Sequence, residues 1–121
     1  MQDNLPSLRT QPIHPCVYIL ASKRNGVLYI GVTSALADRM AQHTHGLIEG
    51  FTKRYGVKLL VYYEFYPTMP DAIRREKQVK EWQRAWKVRL IASMNPEWRN
   101  LFDLATGAIA DGPADRERQR S

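Results

Sequence analysis

Glu76 stands where a carboxylate is least at home. At about 100° per residue along a helix, with Ala72 at zero, Val79 falls near −20°, Trp86 near −40° and Trp82 near −80°. Glu76 falls near +40°, inside the same apolar stripe, whereas Arg74, Lys77, Glu81 and Arg84 lie on or towards the opposite face. A carboxylate turned to a core needs a cation: either a metal ion, or an ion pair with Lys80 one turn on or with an arginine. A second pair is spaced for chemistry. Arg39 and His43, at i and i+4, share the edge of the helix face formed by Leu36, Met40 and Leu47. With Tyr18 and Tyr29 on strand-like runs, these look like the parts of a phosphodiester-cleaving centre. The carboxylate suits a divalent metal, the guanidinium suits charge developing on phosphoryl oxygens, and phenol or imidazole suits proton transfer.

The elements that must position them can be read in order. Cys16-Val17-Tyr18-Ile19-Leu20 and Val27 to Val32 are β-branched and aromatic runs around a turn-rich Ser22 to Gly26, which predicts a β-hairpin. Thr33 or Ser34 offers a hydroxyl N-cap for a helix over about 35–45, and Gly46 offers its stop. After a loop, Val57 to Tyr66 predicts a third strand closed by Pro67 and Pro70, and Asp71 opens a long helix reaching Trp86. Val88 to Ala92 continues that helix or forms another before Asn95-Pro96. The order β-β-α-β-α-α predicts an α+β domain, a small antiparallel three-stranded sheet flanked by helices. Residues 1–15, with three prolines, read as an extended leader, 16–102 as the domain and 103–121 as a disordered tail, dispensable from Gly107 on.

Composition narrows the partners. At 121 residues the chain has about one domain's worth of length, and no apolar run approaches the roughly 20 residues of a membrane span. A single cysteine and no visible secretory signal make the cytoplasm the expected compartment. The net charge is +6, and residues 17–102 hold 14 basic and 7 acidic side chains, +7, so the charge lies on the body rather than the ends. Such a field favours polyanions, nucleic acid first.

Tyr29-Ile30-Gly31, preceded eleven residues earlier by Tyr18 in Val17-Tyr18-Ile19 and followed by Arg39, His43 and Glu76, resembles the GIY-YIG nuclease superfamily over roughly residues 16–102. Glu76-Lys-Gln-Val-Lys-Glu-Trp-Gln-Arg and Asn95-Pro-Glu-Trp-Arg-Asn-Leu resemble its short stand-alone bacterial members. The resemblance implies that Tyr18 and Tyr29 are paired on adjacent strands, with Tyr18 as general base and Gly31 letting backbone pass close to the site. It further implies that Arg39 holds the scissile phosphate, His43 assists proton transfer, and Glu76 is the sole protein ligand of Mg²⁺ or Mn²⁺. Lys23, Arg24, Arg75, Lys80 and Asn95 are the expected nucleic-acid contacts. Cys16 and Val17 depart from the glycine and isoleucine of the first motif.

The implied activity is metal-dependent hydrolysis of DNA with little sequence specificity, single-stranded or branched DNA being candidate substrates and RNA a further one. The alternative is a nucleic-acid-binding protein of the same fold that does not cleave. Zinc on His14, Cys16, His43 and His45 is disfavoured, since His43 and His45 point about 200° apart on a helix. Trp82 and Trp86 could stack bases, but their place in the apolar stripe predicts core packing.

Overall fold

A computed structural model describes residues 14–48 and 50–111. Its central strand, β1 (Cys16–Ala21), is buried at every position because it lies between β2 (Leu28–Thr33) and β3 (Leu59–Phe65), antiparallel to both. That explains why the run is apolar throughout instead of alternating: each parity faces a covered side. Cys16, Tyr18 and Leu20 pack with Leu36 and Met40 of α1 (Leu36–Thr44), and with Val57, Leu101 and Phe102. Val17, Ile19 and Ala21 pack on the other side with Ala72 and Val79 of α3 (Met69–Lys80), Ile91 of α4 (Arg84–Met94), and Trp98. The short α2 (Phe51–Tyr55) lies between α1 and β3 in the chain. The architecture is the expected α+β arrangement, with a three-stranded antiparallel sheet in the order β2-β1-β3.

Three details differ from the sequence reading. Thr33 does not cap α1; its Oγ1 accepts from Ala35 N at 3.1 Å, ahead of an N-cap, Ala35, that makes no side-chain bond. Gly46 ends the helix as expected, with φ +70°, and Leu47, predicted to extend the apolar face, is instead 69% exposed. Pro70 does not close the strand but occupies the first turn of α3, where its missing N–H is harmless, behind a Thr68 cap whose Oγ1 accepts from Asp71 N at 3.2 Å.

The predicted long helix is two. α3 stops at Lys80, and Gln83 takes an extended conformation (φ −62°, ψ 152°) before α4 begins. Lys87 Nζ donates to the Lys80 carbonyl at 3.1 Å, serving one of the acceptors that the end of α3 leaves open. The break re-aims Trp86, which is 48% exposed rather than in the stripe with Val79.

The tail also begins later than predicted. Leu101 and Phe102 are buried, and β4 (Phe102–Asp103) pairs with β5 (Ala108–Ile109) across a turn in which Gly107 has φ +75°. Ala110 N donates to Leu101 O and Tyr63 Oη donates to Ala110 O, both at 2.8 Å, so the hairpin is tied to β3. Residues 112–121 and leader residues 1–13 lie outside the described residues. Truncation at Gly107, neutral on the sequence reading, is now expected to lower stability by about 1–3 kcal/mol, through lost apolar contact and an unpartnered Tyr63 hydroxyl. A thermal melt checks this, and an unchanged midpoint would mean the hairpin adds nothing.

Candidate active site

The strand register sets the first contact. Tyr18 on β1 lies opposite Gly31 on β2, and a Cβ placed on Gly31 would come within 2.5 Å of both Cζ and Oη of Tyr18. Glycine is required there by close approach: the Tyr18 ring lies over the backbone of β2, which is how a fully buried phenol reaches across the edge strand. Its hydroxyl ends 3.1 Å from His43 Nε2, delivered from α1. The other ring nitrogen, Nδ1, lies 3.1 Å from Thr52 Oγ1 on α2. Tyr18, His43 and Thr52 therefore form one buried chain running from strand to helix to helix.

Tyr29, one strand over, adds its ring to the same cluster, 6.3 Å from the Tyr18 ring and 5.7 Å from the His43 ring between centroids. Burial pushes the Tyr18 hydroxyl well above the ordinary tyrosine pKa, the neighbouring Tyr29 adds to this, and Arg39 works against it. Burial also pulls His43 down to about 4, with the positive charge of Arg39 acting in the same direction. At neutral pH the pair is thus a protonated phenol beside a neutral imidazole, with a guanidinium close enough to act on both. That combination sets a proton donor against a proton acceptor, both uncharged at rest.

Glu76 comes from a different direction. It is buried on α3, which packs against the edge strand β2 and β1, and its Oε2 pairs with Lys80 Nζ at 2.8 Å. The ion pair with Lys80 is one of the arrangements that the helix geometry allowed. Among the described residues no three His, Cys, Asp or Glu side chains gather as a metal cage. Glu76 still fits a magnesium-type ion: it is a hard oxygen donor, its partner is a half-exposed lysine, and such ions take few protein ligands.

The expected nucleic-acid contacts divide. Lys23 and Arg24 are exposed on the β1–β2 turn, which Arg84 clamps by donating to Asn25 O at 2.9 Å and Gly26 O at 2.7 Å. Two others have partners inside the protein. Arg75 is engaged by Glu64, with Nε at 2.6 Å from Oε1, and its guanidinium lies 4.9 Å from the centre of the Trp82 ring. Burial raises the pKa of Glu64, but Arg75 and the hydroxyls of Tyr62 and Tyr66 outweigh it and hold the carboxylate below its usual range. Asn95 is 2% exposed, and its amide donates to Val61 O at 3.2 Å and Arg99 O at 2.8 Å while its oxygen accepts from Arg99 N at 3.1 Å. It is a buried staple between β3 and the turn after α4.

The sequence reading missed Thr52, and with it α2. Five residues between glycines carry no helical hydrophobic period; only Gly56, left-handed at φ +63° in the C-cap position, was a visible signal. Cys16, at the departed motif position, is buried with its thiol pushed up to about 12 by burial, chemically inert and part of the core.

With this geometry in place, the comparisons with known proteins are consistent. Residues 14–89 match the family model of the GIY-YIG catalytic domain. A UPF0213 protein of Staphylococcus haemolyticus is 36% identical over 75 residues, which cover 62% of this chain and 90% of that one. Another, from Clostridium perfringens, is 36% identical over 84 residues, covering 69% and 89%. A solution NMR structure of a UPF0213 protein from Bacillus halodurans is 28% identical, with a TM-score of 0.46, and covers 73% of this chain and 93% of that one. The chain belongs to the GIY-YIG nuclease superfamily, among its short bacterial UPF0213 members.

Proposed function

We propose that this chain is a cytoplasmic, divalent-metal-dependent nuclease that hydrolyses phosphodiester bonds in DNA with little sequence specificity. The observation that carries the reading is the buried Tyr18–His43–Thr52 chain beside Arg39 in a domain of this superfamily. A water attacks phosphorus and gives its proton to the Tyr18 oxygen as the phenolic proton passes to His43 Nε2, 3.1 Å away. His43 accepts as the tautomer protonated at Nδ1, with Thr52 Oγ1 as the acceptor that fixes this form. Arg39 faces the charge that grows on the phosphoryl oxygens; the bond to the leaving oxygen breaks, that oxygen takes a proton from solvent water, and His43 gives up the proton it received to solvent, which restores the starting state. Tyr29 closes the wall of the site. Glu76 would hold Mg²⁺ or Mn²⁺, which when bound supplies positive charge at the phosphate.

Lys23 and Arg24, exposed on their turn, are the residues to follow the DNA backbone. Labelled single-stranded, duplex and branched DNA incubated with Mg²⁺, Mn²⁺ or a chelator tests the reading: cleavage is expected only with metal. Binding in chelator should weaken with a log–log salt slope of about −2 to −5, as for a few phosphate contacts. Salt-dependent binding with no cleavage of any substrate would favour the non-cleaving alternative. Binding indifferent to salt would remove DNA as the partner.

A further inference from the structure

α2 has two working faces. Thr52 points inward and is buried against His43, while Phe51 and Tyr55, at i and i+4, stay 46% and 51% exposed. Their ring centroids are 4.8 Å apart, and Phe51 is stacked on Tyr29 at 6.4 Å with 27° between planes. The three rings thus form one ladder from the surface to the candidate centre. A cleft of about 500 Å³ opens along its outer end, lined by Gly50, Phe51, Lys53, Arg54 and Tyr55. The guanidinium of Arg54 lies 5.9 Å from the centre of the Tyr55 ring. Gly50 and Gly56, at φ +106° and +63°, turn the chain sharply at both ends and display the helix.

Two exposed rings cost free energy in water unless something covers them. Here the cover must be flat and attached to negative charge, because the aromatic surface is interleaved with cations on a +7 body. We infer that the outward face of α2 is a stacking platform for an unpaired base of single-stranded DNA, which Phe51 and Tyr55 underlie while Arg54 holds the adjoining phosphate. This inference rests on the nuclease reading and deepens it by naming the form of substrate. A base stacked there leaves its neighbouring phosphodiester beside Tyr29, whereas a paired base presents its edge, not its face, to the rings.

The test is binding by the full chain in chelator, where no cleavage intervenes. Single-stranded oligonucleotides carrying one 2-aminopurine should show quenched fluorescence on binding, and an oligonucleotide with one abasic position at that site should bind about tenfold more weakly. Phe51→Ala with Tyr55→Ala should weaken the intact single strand about tenfold and erase the difference between intact and abasic strands, leaving duplex affinity unchanged. Phe51→Trp should retain both properties, which a merely folding-related loss would not. Equal binding of intact and abasic strands by the wild type overturns the platform. So does a double variant that binds like the wild type, or one whose only change is a smaller oligomer, which would make the face a contact between copies. Base-dependent binding without Mg²⁺-supported cleavage supports the platform and defeats the nuclease reading. Cleavage with an unaffected double variant does the reverse.

Discussion

Acidification from pH 6.5 to 4 is expected to cost the wild type on the order of 2–3 kcal/mol of stability through His43 alone. Unfolded, this imidazole titrates near 6.5; folded, burial and then Arg39 pull it down to about 4. Between those values the unfolded chain binds a proton that the folded chain refuses, so stability is fully present above 6.5 and is lost as pH falls towards 4. The magnitude follows from about 1.4 kcal/mol per unit. His43→Gln keeps a polar side chain within reach of Tyr18 and Thr52 but cannot titrate. Its baseline will be lower, yet its stability should fall less steeply across this window. Chemical denaturation of both proteins at half-unit pH steps checks the slopes. Parallel curves between 4 and 6.5 would mean that His43 is not held neutral inside, and the proton route drawn through it would fail. Glu64, whose pKa is also held down, loses its contribution only at the acid end and is common to both proteins.

Much of the architecture was legible because strong patterns wrote it. The β-branched runs around a Gly-containing turn marked the β1–β2 hairpin, and the spacing of Tyr18, Tyr29, Arg39 and His43 marked the residues that face one another across α1 and the sheet. What failed was local. A continuous 3.6-residue period over 71–86 cannot show that the backbone stops at Lys80, because tertiary contacts of Arg84 and Lys87 settle the break. The tail from Asp103 looked polar and Gly-rich, yet Phe102 and Ile109 and the hydrogen bonds made by Ala110 suffice to dock a hairpin. Arg75 and Asn95 read as surface contacts because sequence does not reveal that Glu64 and the Val61 carbonyl wait for them. Thr52 was invisible for the opposite reason: its role depends on a five-residue helix with no pattern of its own.

Glu76 is where the physical reading and the family resemblance meet, and Glu76→Gln carries the largest expected effect. The substitution keeps volume and hydrogen bonding and removes only the charge that would fix a cation. Cleavage should fall by three decades or more, the equivalent of several kcal/mol of lost transition-state stabilisation. Stability should move by less than about 1 kcal/mol, because the partner Lys80 is 52% exposed and returns to water when released. The ion pair seen in the structure is therefore compatible with a metal role, since a half-exposed lysine is a cation that another can replace. Lys80→Met, melted with and without Mg²⁺, separates the two: if the pair were the purpose of Glu76 the unpaired carboxylate destabilises the fold whether or not Mg²⁺ is added, whereas a metal-holding Glu76 regains stability when Mg²⁺ is added. The most direct measurement is the rate of Mg²⁺-started cleavage of a labelled DNA strand by the wild type and Glu76→Gln, at matched folded fraction from their melts. The nuclease account predicts rapid cutting by the first and essentially none by a second that melts at nearly the same temperature. A Glu76→Gln protein that cuts at the wild-type rate, or one that simply unfolds, contradicts it.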